Sequence, residues 1–251
     1  MRSGAQVLRG LRATVAALPD GLQQRARSFW NACQIRLGRF ASPEPEFALL
    51  ERWVGEGDWA LDVGANIGHY TLRLSKLVGS AGRVIALEPV PETFAILADN
   101  CRTARCRNVT LINAAASGRT AVVTMSIPNY EDGLKNFYQA RIEQGAAARE
   151  GLAVLAIPVD SLDLPARLAL VKIDAEGHER FVLEGLRRTL ERSRPVIIME
   201  NSDGQAVELL ASLDYRMTSF ERSPNVVGIP AERMRESEAS AQACTPAARR
   251  A

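Results

Sequence analysis

Trp59-Ala60-Leu61-Asp62-Val63-Gly64-Ala65-Asn66-Ile67-Gly68 decides the fold class. Its first half is a short apolar run carrying one acid. Its second half is a glycine turn, and a helical pattern follows from about Ile67 to Val78. A strand, a glycine turn and a helix in that order open a parallel α/β sheet. Gly64 and Gly68 let the backbone approach a ligand where a Cβ would clash, and the helix start offers free N–H donors. A dinucleotide site wants G-x-G-x-x-G, with glycines suited to a pyrophosphate. Here Asn66 stands at the middle glycine, and Asp62 at the strand end suits the ammonium of a bound amino acid.

Outward from this turn the pattern alternates. Arg83 to Glu88 reads as a second strand, Glu92 to Cys101 as a helix and Val109 to Ile112 as a third strand. Leu168 to Asp174 is a fourth strand, His178 to about Leu190 a helix and Pro195 to Glu200 a fifth strand. Apolar strands separated by helices imply a doubly wound parallel sheet covered on both faces. After a helix near Ala206–Leu213, the runs Tyr215–Phe220 and Val226–Ile229 are expected to pair antiparallel at the sheet edge. Residues 120–158 break the alternation. Ala121–Ile127 and Leu152–Pro158 read as strands flanking a polar insertion at 128–150, and an insertion of that length usually serves function. Residues 231–251 are poor in apolar side chains and read as a disordered tail.

The first 40 residues differ from the rest, with seven arginines against one acid, Asp20. Leu8, Leu11, Val15 and Leu18 recur at helical spacing, as do Leu22, Ala26, Phe29 and Trp30, giving two basic amphipathic helices broken at Pro19-Asp20-Gly21. Two readings stand open: a helical cap packed on the domain, or a surface for an anionic membrane or partner. With 251 residues, 47% of them hydrophobic and 24% charged, the chain suits one α/β domain with extensions. A net charge of +2 makes no general case for nucleic acid. Cys33, Cys101, Cys106 and Cys244 form no CxxC pair and have no nearby His to complete a zinc site. No stretch is long and apolar enough to span a membrane, and no secretory signal is evident, so a cytoplasmic protein is expected.

Three further positions carry the chemistry. Glu88 ends the second strand, 20 residues past Gly68, where a carboxylate accepts hydrogen bonds from the vicinal hydroxyls of a ribose. Adenosine joined to an amino-acid head group describes S-adenosylmethionine. Val171-Lys172-Ile173-Asp174-Ala175-Glu176-Gly177-His178-Glu179 ends the fourth strand, placing Asp174 and Glu176 at the cleft beside the methyl group. Lys172 reads as the buried partner of a carboxylate. His178 is a candidate base for an acceptor hydroxyl, alongside the plainer reading of a solvated residue in a first helical turn. His69 has a weaker claim. Last, Val196-Ile197-Ile198-Met199-Glu200-Asn201 ends the fifth strand. Asp174, Glu200 and Asn201 make an alternative set of oxygen ligands for a magnesium-like ion, a spacing similar to that of catechol O-methyltransferases; the other reading is hydrogen bonding without metal.

With these residues in view, the chain resembles the FkbM-type methyltransferases. The matching segments are LDVGANIGHYTL, GRVIALEPVPETFAIL, NVTLINAAAS, VDSLDL, LVKIDAEGHERFVLEG and RPVIIMEN, covering about residues 50–202. The resemblance implies a class I methyltransferase fold, Rossmann-like, with a mostly parallel seven-stranded sheet. It implies S-adenosylmethionine contacts from Asp62, Gly64, Ala65, Asn66, Gly68, Glu88 and Pro89, an adenine-lining turn at Ala114–Ala115, and Asp174 at the cofactor's edge. It also implies O-methylation of a hydroxyl on a sugar, glycolipid or natural product, with Asp174 or Glu176 positioning the acceptor and His178 as base. Nucleic-acid or nitrogen methylation, and a non-catalytic cofactor-binding module in a glycan- or lipid-assembly complex, are the alternatives. Against base methylation, the fourth-strand block has no paired prolines after Asn or Asp. The segments at 1–40 and 128–150 lie outside the resemblance, and acceptor choice is expected to reside there.

Overall fold

A computed structural model of the chain describes residues 20–128, 136, 139–143, 151–162, 164, 167–200 and 204–234. Helix α1 (Asp20–Arg36) and a 3-10 segment (Pro45–Arg52) precede the sheet. Then come β1 (Trp59–Val63), α2 (His69–Val78), β2 (Arg83–Leu87), α3 (Pro91–Thr103), β3 (Val109–Ile112), β4 (Ala115–Ala116), β5 (Ala121–Ser126), β6 (Arg141–Ile142) and β7 (Leu152–Ile157). The chain continues through β8 (Leu168–Ile173), α4 (Glu179–Glu184), α5 (Arg187–Ser193), β9 (Val196–Glu200), α6 (Gly204–Ser212), β10 (Tyr215–Ser219) and β11 (Asn225–Pro230).

The main sheet has the order β3-β2-β1-β8-β9-β11-β10, parallel from β3 to β9 and closed by two antiparallel strands. Alternation along each strand feeds two cores. Leu61, Val63, Ile85, Leu87, Val171, Ile173, Ile197 and Met199 pack with Val182, Leu183, Leu190 and Leu210 on one face. Ala60, Val84, Leu170, Val196 and Ile198 meet Phe47, Leu50, Tyr70, Leu74 and Val78 on the other. Burial on both faces is why these strands read as nearly continuous apolar runs. Each fully buried Leu or Ile contributes about 1.5–3 kcal/mol, enough in sum to hold the sheet without a disulfide or metal. The chain winds outward from β1 to β3 and returns to β8 on the other side of β1. That reversal opens a crevice at the carboxyl ends of β1 and β8, where such sheets bind ligands.

Four expectations change. The strands flanking the insertion build a second sheet, β4-β7-β5-β6, whose inner face holds Met125, Ala140, Val154 and Ala156. The expected helix from His178 to Leu190 is two helices, broken at Gly185. A Cβ there would meet the carbonyl oxygen of Ser117, and the Gly185 carbonyl is taken by the Asp160 N–H at 2.8 Å. The tail begins later than residue 231: residues 231–234 are helical, with Glu232 gripping Arg194 through two hydrogen bonds; residues 235–251 lie outside the described ones. Finally, α1 packs on α3, but not by the predicted apolar stripe. It turns Asn31 and Ile35 inward, donates from Ser28 to Asp99 and leaves Leu22, Phe29 and Trp30 exposed. The first expected helix, ending near Leu18, lies outside the described residues. Among the described residues no helix is long and apolar enough to cross a membrane.

Candidate functional site

The crevice is lined by three walls. The first is the turn after β1, with Gly64 and Asn66; the second is Glu88, Pro89 and Val90 after β2; the third is Ala114, Ala115 and Ala116 entering the second sheet. Asp174, Ala175, Glu176 and His178 close its mouth, and Met125, Ala140 and Ile142 form its apolar floor.

Gly64 is required by its neighbour: any Cβ would run into the carbonyl oxygen of Asp174, and φ is +70°. Asn66 holds a left-handed φ of 49°, with its side-chain oxygen accepting from the Ile67 N–H at 2.8 Å. Glu88 is buried and accepts from the Asn66 N–H and the Val90 N–H, one per carboxylate oxygen, both at 2.9 Å. Burial pushes its carboxyl up to about 7, against the pull of those two N–H groups. Each carboxylate oxygen has a second lone pair, so acceptor capacity toward the crevice is left. Asn113 ties this wall to the next by donating to the carbonyls of Glu88 and Pro89 at 2.8 and 3.0 Å. The turn, whose N–H groups from Gly64 to Gly68 are all taken internally, the acid and the small alanines make a slot with close-approaching glycine backbone at one end and a carboxylate along its side. That fits an adenosine carrying a charged tail.

Asp62 is one of three expected cofactor contacts that do not line the crevice. It occupies the interior of β1, not its end, and alternation turns it toward α2, where Thr71 donates to it at 2.5 Å. It is buried, sits beside Lys172 in strand register and does not line the crevice. Burial raises its carboxyl to about 6, opposed by Thr71 and Lys172. Ala65 and Gly68 also lie off the walls; Gly68 precedes α2, and Ala65 packs against Leu72 and Leu97.

The mouth is acidic. Asp174, Glu176 and Glu200 bring carboxylate oxygens within 4.8 Å of one another. Lys172, almost fully buried, lies 3.4 Å from Asp174 and 5.3 Å from the Tyr70 ring centre. Burial first, then the charges of Asp174, Glu200 and Glu179, push the Glu176 carboxyl up to about 7. Burial and Asp174 raise Glu200 as well. Glu176 and Gly177 both have positive φ, 49° and 89°. Glu179, fully buried, holds this loop by accepting from the N–H groups of Ala175 at 3.1 Å and Gly177 at 3.3 Å. His178 is buried, stacks on Phe181 and meets the Ser117 hydroxyl through Nε2 at 3.0 Å. Burial lowers its pKa, so the ring is neutral near pH 7. His69 sits against Phe40, the ring centres 4.2 Å apart and the planes tilted by 33°, away from the crevice. Asn201 lies outside the described residues, and Glu176 takes its place beside Asp174 and Glu200 in the acid cluster.

Sequence reasoning missed the floor and the loop clamp. Ala140 and Ile142 fall in the 128–150 insertion, and their apolar character was drowned in its polar composition. Glu179 stands in the quoted motif without a role, and only the fold shows its carboxylate turned back on the loop.

The family model described as "Methyltransferase FkbM domain" matches residues 62–217. Among curated proteins none matches the sequence. Of solved structures, the fold is similar to the methyltransferase FkbM from Methylobacillus flagellatus KT, with 18% identity and a TM-score of 0.50. That match covers 90% of this chain and 60% of that one. A putative rRNA methylase from Clostridium thermocellum matches at 15% identity and a TM-score of 0.47, over 72% of this chain and 89% of that one. The Aeropyrum pernix fibrillarin solved with S-adenosyl-L-methionine matches at 16% identity and 0.45, over 72% and 71%. The chain belongs to the FkbM methyltransferase family, and it is an S-adenosylmethionine-dependent methyltransferase.

Proposed function

We propose that the chain transfers the methyl group to a hydroxyl of a sugar, glycolipid or natural-product acceptor. The observation that carries this reading is the acid cluster at the mouth, Asp174, Glu176 and Glu200. Carboxylates suit an acceptor rich in hydroxyl donors, and one of them must take a proton as the oxygen is methylated. S-adenosylmethionine supplies a methyl group already activated on sulfur, held by Gly64, Asn66, Glu88 and the Ala114–Ala116 wall. The chain's own work is alignment and proton removal. Glu176 is the better base. Its carboxyl titrates near 7, it is only half-buried, and the loop clamped by Glu179 holds it at the mouth. His178 already engages Ser117, and its role is to tie the acid loop to the adenine-side wall. Lys172 holds Asp174, leaving that carboxylate to orient the acceptor.

The same cluster favours a second reading, in which Asp174, Glu176 and Glu200 hold a magnesium ion; three hard oxygen donors at this spacing suit it. One experiment separates these readings and the rivals. The enzyme is incubated with methyl-labelled S-adenosylmethionine and either glycan and glycolipid extracts or total RNA, with and without EDTA. Label in a glycan or glycolipid ether, indifferent to EDTA, is expected. Activity restored by magnesium after EDTA would favour the metal reading, and label in RNA alone would overturn hydroxyl methylation of a glycan.

A further inference from the structure

Helix α1 is amphipathic in the wrong direction for a cap. Its inner side is largely polar, with Asn31 buried and Ser28 donating to Asp99 at 3.5 Å; only Ile35 joins the apolar cluster beneath. Its outer side carries Leu22 at 46% exposure, Phe29 at 72% and Trp30 at 63%, and Leu37 just past its end is 63% exposed. These are four of the six large apolar side chains left exposed among the described residues, so the exposure is local to this segment. At 100° per residue, Leu22, Phe29 and Trp30 fall within an arc of about 100°. Arg25 and Arg36 border that arc and Arg39 follows it, all three exposed and with no acidic partner among the described residues. Burying two aromatics and two leucines is worth several kcal/mol, which the domain leaves unclaimed.

We infer that this face docks on an anionic phospholipid surface, the aromatics entering the headgroup region and the arginines meeting lipid phosphates. An apolar arc edged by arginines is the pattern of a helix lying in a membrane interface. A second copy of the chain is a poorer occupant, because self-packing of this face would bring Arg25 and Arg36 against their own copies. An acidic groove on a protein partner would satisfy the arginines but has nothing on this molecule to define it. The inference is independent of the acceptor proposed above.

The test is co-sedimentation of the full chain with phosphatidylcholine vesicles and with vesicles of equal parts phosphatidylcholine and phosphatidylglycerol. Binding to the anionic vesicles only, weakened by salt, is expected. A blue shift of Trp emission that is lost in Trp30→Phe should accompany it. Phe29→Ser with Trp30→Ser, and separately Arg25→Glu with Arg36→Glu, should each lower the bound fraction about tenfold or more while S-adenosylhomocysteine affinity stays unchanged. The arginine pair lies wholly on the surface, so it serves if the serine pair fails to fold. No binding to anionic vesicles would overturn the inference, as would binding indifferent to both pairs. Loss with the arginine pair alone would show anion attraction without insertion, and a dimer in sedimentation velocity that Phe29→Ser with Trp30→Ser dissolves would assign the face to a second copy.

Discussion

The cradle and the mouth of the crevice are built on opposite plans. In the cradle the polar groups are already satisfied by backbone: both oxygens of Glu88 are held by N–H groups, Asn66 is bonded to its own turn, and Gly64 fits only because it lacks a Cβ. At the mouth, three carboxylates crowd together, and the Glu176 carboxyl is driven up toward neutrality. The difference separates holding from reacting. A surface that binds one invariant molecule is best made rigid and internally complete, whereas groups that must exchange a proton are best left electrostatically unsettled.

Three measurements would break or sharpen that contrast. The largest effect belongs to Gly64→Ala. Its methyl would meet the Asp174 carbonyl in a left-handed backbone, and about 3–5 kcal/mol of stability should go. A melting curve that barely moved would show that the turn can yield. Next, Glu176→Gln should lower kcat by about 10²–10⁴-fold with little change in melting temperature. Its pH signature is specific. A carboxyl raised to about 7 is protonated, and useless as a base, below that pH, so kcat at saturating cofactor should fall tenfold per unit beneath about 7 and level off above it. In the Gln variant the limb should vanish; a limb that survived would move the base elsewhere, with His178 next. The smallest effect is Glu88→Ala. It should weaken cofactor binding by about 2–4 kcal/mol in calorimetry and spare kcat at saturation. A fall in kcat without a change in affinity would erase the boundary between cradle and mouth.

Legibility followed the same boundary. The seven-stranded sheet was readable because its central parallel strands β1, β2, β8 and β9 are largely apolar and close on Gly64, Glu88, Asp174 and Glu200. Glu88, Gly64 and Asp174 could therefore be set at the crevice from position alone. Asp62 was misplaced by one residue of phase: β1 ends at Val63, so the acid falls on the α2 face, where Thr71 receives it. The helix at 20–36 was legible as amphipathic, but periodicity reports that two faces differ without reporting which one the domain covers. The second sheet pairs β5 with β7 across the polar insertion, Met125 opposite Leu152 and Ala121 opposite Ala156, and no local pattern encodes that pairing. Glu179's grip on the loop was illegible for a related reason, since a carboxylate at a helix start reads equally as solvated.

The backbone at Glu176 carries a consequence for how this enzyme evolves. A residue with a Cβ held at φ 49°, directly before a glycine at 89°, sits where glycine or asparagine would fold more comfortably. Replacing it with glycine should relieve that strain, so the fold and the reaction pull this position in opposite directions. On its proposed role as the base, selection for activity is what keeps a carboxylate there. In descendants released from the reaction, this is the codon expected to drift first, and glycine the residue toward which it should drift.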